Sequence, residues 1–294
     1  MQSYLHKVAG QAINLTGVVA PRLAGRIAFS LFSSTSSPEP RNEKERKLLG
    51  MSRAAMREAE LLMLPVPAGM VATHRFDPIG EASGKTYLVV HGWGSRVDYL
   101  QGLIRGLRQT GAVVVGLDLP GHGGSTGRRL TVPIGIDAID AAWRQYGHFD
   151  AVIGHSFGGF VSAMSASGPA DWLTRRTPDK LVLIAAPVAA EHVFSNFSDA
   201  MGFTRRVDSA MDGEVKRIAG QPIAFFSAGR MLESVPQLPV LVLHADEDKE
   251  VSSRAARAYA GAGRHVRLEW LNGLGHRRIV NSPDTIDAIK KFLV

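Results

Sequence analysis

Ser156 lies in Gly154-His155-Ser156-Phe157-Gly158, after the apolar run Ala151–Ile153 and before the helix-compatible residues Gly159–Met164. A buried strand, a tight turn and a helix, with glycine two positions to either side of the serine, push that serine onto a strained turn. Its Oγ then stands clear of the backbone, and the following helix points its positive end at the site. The chemistry that fits is nucleophilic attack on an acyl carbonyl. The plainer alternative is a Ser-Gly turn that packs a helix onto a sheet.

A serine hydroxyl is a weak nucleophile at neutral pH and needs a base, and the base needs an orienting carboxylate. Among ten histidines, His276 stands out because it follows the last apolar strand in the loop Asn272-Gly273-Leu274-Gly275-His276. His91, His122, His155 and His244 fall in turns or at strand ends, where a ring can bond nearby backbone. For the carboxylate, Asp246 and Asp248 both follow the strand Val240–Leu243, and both cannot face His276. Asp118 heads the loop Leu119-Pro120-Gly121-His122-Gly123, which suits bracing of that loop. A tetrahedral intermediate also needs two backbone N–H donors. We expect them from Phe157, directly after the serine, and from Trp93 in His91-Gly92-Trp93-Gly94.

Positioning these residues takes a sheet. Met70–Phe76, Lys85–Val90, Ala112–Leu117, the run before Ser156, Leu181–Ala185, Pro239–His244 and Val266–Leu271 read as strands. Most of the later ones alternate with helical stretches around Tyr99–Leu107, Thr131–Trp143, Ser252–Ala260 and Ser282–Leu293. Strands that are almost wholly apolar and separated by helices imply an α/β fold, a mostly parallel sheet covered on both faces. The serine, both aspartates and His276 then lie at the carboxyl ends of strands, the edge where ligands bind in such sheets.

The rhythm fails in two places. Residues 1–64 read as a helical arm: a moderately apolar stretch Val8–Phe32 carrying Lys7, Arg22 and Arg26, a Ser33–Pro38 joint, then one or two amphipathic helices over Arg41–Leu64. Residues 187–236 form an insertion without strands. There Phe194, Phe197, Met201 and Phe203 are candidates for the apolar underside of a small cap that contacts substrate.

Composition narrows the function classes. At 294 residues and 45% hydrophobic content the chain can bury a large core. It has no cysteine, which excludes disulfides, thiolate metal sites and a cysteine nucleophile. The net charge of +7 is scattered, with no basic stripe interleaved with aromatics, so no nucleic-acid partner is expected. No apolar run is long enough to span a membrane. We expect no cofactor, no metal, a small-molecule ester partner, a cytoplasmic protein, and at most weak contact of the arm with a membrane surface.

Together, the His91-Gly92-Trp93-Gly94 turn, the Asp118–Gly123 loop, the Ser156 turn, the Asp248 loop and Gly275-His276 resemble the α/β-hydrolase superfamily over Met70–Val294. The resemblance implies an eight-stranded sheet with one antiparallel strand near the start and a cap inserted after the sixth strand. It also implies the chain order serine, acid, histidine. Aligning His244, Asp248 and Val251 with the family's acid loop selects Asp248 over Asp246, although Ala245 stands where glycine is usual. Ser156 separates the chain from similar dehalogenases and epoxide hydrolases, whose nucleophile is aspartate. The expected activity is that of a serine carboxylesterase. Thioesterase, lactonase, carbon–carbon bond hydrolase and acyltransferase chemistry would use the same three residues, and a non-catalytic binding protein would need none of them.

Overall fold

The computed structural model describes residues 2–36, 39–40, 42–168 and 173–294. Its strands are β1 Glu60–Val66, β2 Gly69–Phe76, β3 Thr86–Val90, β4 Val113–Leu117, β5 Ala151–His155, β6 Lys180–Ile184, β7 Val240–His244 and β8 Val266–Trp270. The helices are α1 Gln2–Val19, α2 Pro21–Ser33, α3 Glu43–Met56, α4 Gln101–Arg108, α5 Val132–Tyr146, α6 Phe157–Ser167, α7 Ala190–Met201, α8 Arg205–Ala219, α9 Ala228–Leu232, α10 Ser253–Ala260, α11 Gly275–Arg278 and α12 Pro283–Leu293. The chain divides into two compact units, Thr35–Val188 with Ala228–Val294, and Met1–Ser34 with Ala189–Ser227.

The first unit holds a single eight-stranded sheet in the order β1-β2-β4-β3-β5-β6-β7-β8. Only β2 runs against its neighbours β1 and β4; every other pairing is parallel. The central strands β5 and β7 are buried along their whole length, which is why they read as unbroken apolar runs rather than as alternation. On one face Leu103, Ile104 and Leu107 of α4 and Ile289 and Leu293 of α12 join Val89, Val114, Ile153, Val182 and Leu241 in one core. α5 and α6 pack together, α6 against β5 and β6, and α10 against β7 and β8. Ser252 caps α10 through the Arg254 N–H, and Pro283 occupies the first turn of α12.

One element differs from the sequence expectation. The helical reading of Arg41–Leu64 holds for α3 but not beyond Met56, because Glu60–Val66 is a strand. It forms a hairpin with β2, in register from Glu60 opposite Arg75 to Val66 opposite Gly69. That non-local pairing overrides the local helical pattern, and Pro65 is tolerated because β1 lies at the sheet edge. Residues 35–64 therefore belong with the sheet, not with a separate arm. Ser37, Pro38 and Arg41 lie outside the described residues. Elsewhere in the joint, Ser33 is buried at the end of α2 and the Thr35 N–H bonds the Arg128 carbonyl at 3.0 Å.

The second unit is helical. α1 and α2 pack on each other and on α8, and α1 also packs on α7. The helices approach closely because glycines face backbone. A Cβ on Gly10 would collide with the Met201 carbonyl, and one on Gly25 with the Ala210 carbonyl. Asn14 ties α1 to the turn after α7 at both ends of its amide: its Nδ2 donates to Gly202 O at 2.8 Å and its Oδ1 accepts from Thr204 N at 2.9 Å. Phe32 of α2 packs its ring edgewise against Phe194 and Phe197. The stretch 189–227 is closed at its base by an antiparallel bridge between Ala189 and Ser227.

Candidate active site

Ser156 follows β5 and is the N-cap of α6, with φ 52° and ψ −124°, a positive-φ conformation that an L residue adopts only under constraint. The constraint is visible on both sides of the residue. Its N–H is held by the Ile184 carbonyl of β6 at 2.8 Å, and its carbonyl accepts the first helical bond, from Phe160 N at 3.1 Å. The flanking glycine is needed for packing: a Cβ on Gly158 would collide with the carbonyls of Val90 and His91 at the end of β3. The loop after β3 reaches the serine itself, since a Cβ on Gly92 would lie 2.8 Å from the Ser156 Cβ.

Three side chains from separate strand ends meet here. Ser156 Oγ lies 3.0 Å from His276 Nε2, and His276 Nδ1 lies 2.8 Å from Asp248 Oδ2. Asp248 and His276 are buried, whereas Ser156 is half-exposed. The remaining oxygen of Asp248 accepts from Glu250 N at 2.8 Å and Val251 N at 2.9 Å. Burial alone would raise the Asp248 carboxyl, but the His276 hydrogen bond and the Val251 and Glu250 N–H groups outweigh it and lower its pKa. An ionised Asp248 is only an acceptor, so Nδ1 of His276 carries a proton and Nε2 is free to accept one from Ser156. Asp246 points elsewhere, forming an exposed pair with Arg257 at 3.3 Å.

His276 is held by a second layer of contacts that the sequence reading did not single out. Glu247 Oε1 accepts the Gly275 N–H at 3.0 Å, and Asn272 Oδ1 accepts the Asp246 N–H at 2.9 Å, so the acid loop and the histidine loop are pinned to each other. Its own N–H, with those of Gly275, Gly273 and Leu274, keeps the Glu247 carboxyl below its usual range. Glu250 pairs with Arg277 at 2.8 Å and brings its other oxygen to 3.8 Å from His276 Nε2. The crowded run Asp246-Glu247-Asp248-Lys249-Glu250 beside a glycine-rich loop was the available signal, because clustered carboxylates need donors and glycine-rich backbone supplies them.

His155, inside the elbow, holds the other side. Its Nε2 lies 2.9 Å from the His276 carbonyl and donates to it, leaving a buried Nδ1 with no partner among the described residues. Burial first, and then the adjacent His276, push its pKa down to about 4, so the ring is neutral. His91, His122 and His244 also bond backbone, at Gly92 O, Pro120 O and Val251 O. Asp118 braces its loop by accepting from Val97 N and Gly124 N, each at 2.9 Å, and from His74 at 3.1 Å. Burial would raise that carboxyl, but these bonds and the nearby His91 bring it to about 2.

Neither the Trp93 nor the Phe157 backbone N–H has an acceptor among the described residues. Their rings meet edgewise at 5.5 Å between centroids, and the Trp93 ring also meets His122. His122 Nε2 accepts the Gly94 N–H at 2.9 Å and so fixes the turn that carries Trp93. Phe194, Phe197, Met201 and Phe203 belong to the helical unit. Phe194 and Met201 are buried in it, Phe197 packs on Phe32, and Phe203 packs on Phe197.

The family model described as "Alpha/beta hydrolase family" matches residues 87–288, a span that includes Trp93, Ser156, Asp248 and His276. The chain belongs to the alpha/beta hydrolase family. Solved structures of this family share its architecture. Naproxen esterase (carboxylesterase NP) from Bacillus subtilis matches with a TM-score of 0.61 at 12% identity, over 87% of this chain and 100% of that one. The esterase domain of a Rhodothermus marinus protein matches with a TM-score of 0.56 at 18% identity, over 80% and 96%. Proline iminopeptidase from Mycobacterium smegmatis matches with a TM-score of 0.61 at 16% identity, over 80% and 97%. At such identities the likeness of these alpha/beta hydrolases to this chain is one of fold, and fold leaves the substrate open. No curated protein matches the chain.

Proposed function

We propose that the protein is a serine hydrolase that cleaves a carboxylic ester of a small to medium apolar substrate through an acyl-enzyme on Ser156. One observation carries the reading: the unbroken hydrogen-bond relay Ser156–His276–Asp248, at 3.0 and 2.8 Å, on a strained half-exposed turn. Ser156 Oγ attacks the acyl carbon while its proton passes to His276 Nε2, and Asp248 stabilises the resulting imidazolium. The oxyanion forms between the unpaired N–H groups of Trp93 and Phe157, at the positive end of α6. The carbon–oxygen bond then breaks, and His276 returns the proton to the leaving alcohol. Water, deprotonated by His276, releases the acid and regenerates Ser156.

An ester is favoured because two structures that share the fold are named as esterases and because the stretch 189–227 is rich in phenylalanine and methionine. A fluorophosphonate probe should label the protein at Ser156, and Ser156→Ala should abolish both labelling and turnover of p-nitrophenyl esters. A series of acyl chain lengths then sizes the substrate. Full turnover by Ser156→Ala would end the proposal. Tight ligand binding without turnover across esters, thioesters and lactones would favour a binding protein instead.

A further inference from the structure

We infer that the α1–α2 pair docks on an anionic phospholipid surface, lying along it rather than crossing it. The two helices are amphipathic in an inverted sense. Their inward faces carry mostly small residues, with Gly10 and Gly17 on α1 and Ala24, Gly25 and Ala28 on α2 buried against the unit beside Ile13 and Phe29. Their outward faces carry the branched aliphatics: Leu15 is 71% exposed, Val19 87%, Leu23 50%, Ile27 41% and Leu31 41%. Leu23, Ile27 and Leu31 recur every four residues, so they form one stripe along α2. Val8, Leu15 and Val19, at spacings of seven and four, share one face of α1. A helix stabilised only by its own unit would bury its leucines and expose its small residues. Contiguous apolar surface of this kind marks an interaction site.

Charge identifies the occupant. No Asp or Glu precedes Glu39, while Lys7, Arg22 and Arg26 are exposed on these helices. Arg26 lies 3.8 Å from Glu214, but Arg217 already holds that carboxylate at 2.6 Å. Aliphatic side chains flanked by cations suit an anionic lipid interface. A symmetric contact with a second copy would bring the same cations toward each other. Among the described residues, no helix is long and apolar enough to cross a membrane, so the contact is peripheral.

The test is flotation of the full chain with phosphatidylcholine vesicles, with and without about a third phosphatidylglycerol. The protein should float with the anionic vesicles, and less in high salt. Leu15→Ser, Leu23→Ser and Ile27→Ser combined should weaken binding at least about tenfold, with an unchanged melting temperature because all three side chains are exposed. Failure to bind, or equal binding of the variant, overturns the inference. So does equal binding to neutral vesicles, as does a concentration-dependent dimer that the same substitutions dissolve in the absence of vesicle binding. None of these readouts involves ester turnover, so the outcome is independent of the proposed catalytic activity.

Discussion

The strained backbone at Ser156 has a consequence for stability that can be isolated by substitution. A side chain at φ 52°, ψ −124° costs about 1–3 kcal/mol, and glycine escapes that cost. Ser156→Gly and Ser156→Ala both lose the 3.0 Å hydrogen bond to His276, so that term cancels between them. Two other differences between Gly and Ala remain at a helix N-cap. Glycine loses more backbone entropy on folding, and it is the better cap. Ser282 supplies the control, because it is also a serine at a helix N-cap without a side-chain cap bond, but with an ordinary φ of −67°.

The stability difference between the Gly and Ala variants at 156, minus the same difference at 282, should therefore be about 1–3 kcal/mol in favour of glycine. Unfolding entropy near 2.1 cal/mol/K per residue gives about 0.6 kcal/mol/K for this chain, so the corresponding shift in Tm is about 2–5 °C. Scanning calorimetry of the four variants measures it. Both Ser156 variants should be inactive, so strain is separated from chemistry. If the two positions give the same Gly–Ala difference, the elbow stores no strain and the account of how Oγ is held forward is wrong.

Asp248→Asn should leave the fold intact but lower kcat on an ester by about 10⁴, because asparagine favours the wrong His276 tautomer. Asp246→Asn, in an exposed pair with Arg257, should change the rate less than about threefold; equal losses would refute the choice of Asp248. The His155 pKa, displaced from 6.5 to about 4, makes stability depend on pH. Between these values the unfolded chain takes up a proton that the folded one excludes, so stability falls as pH drops from 6.5 toward 4 and levels below it. Of the loss between pH 7 and 4.5, His155→Gln should remove about 2 kcal/mol, read by denaturant unfolding. His91 and His244, also lowered chiefly by burial, should leave a shallower slope, and an unchanged slope would refute the assignment.

What the sequence made legible follows from what each signal depends on. Strands β3–β7 were readable because a strand buried on both faces is apolar along nearly all its length, and helices between them show a different period. Asp248 was separated from Asp246 only by the family resemblance, whereas the candidates Ser156 and His276 were readable because each follows a strand whose end the parallel sheet puts on one edge. β1 was not, since an edge strand is buried on few positions and Leu61–Leu64 fit a helix as well as a hairpin. Its identity depends on β2, its partner in the hairpin. The role of Glu247 and the partner of His155 escaped notice for a similar reason: both bond backbone groups of a loop more than twenty residues away, and composition carries no record of such bonds.

The N-terminal helices show where local pattern leaves orientation open even when the element is found. Val8–Phe32 reads as a moderately apolar helical stretch, and its composition does not say which face turns inward. In the structure, backbone contact at Gly10 and Gly25 favours small residues on the inner side, where Ile13 and Phe29 are the large side chains buried. Leu15, Leu23, Ile27 and Leu31 are then forced outward. Close approach of helix backbones, rather than burial of large side chains, sets the orientation of α1 and α2. The exposed leucines follow from that choice, and their exposure in water has a cost that an apolar surface outside the protein would remove. That is the physical basis on which a face invisible in composition becomes a candidate for contact with lipid.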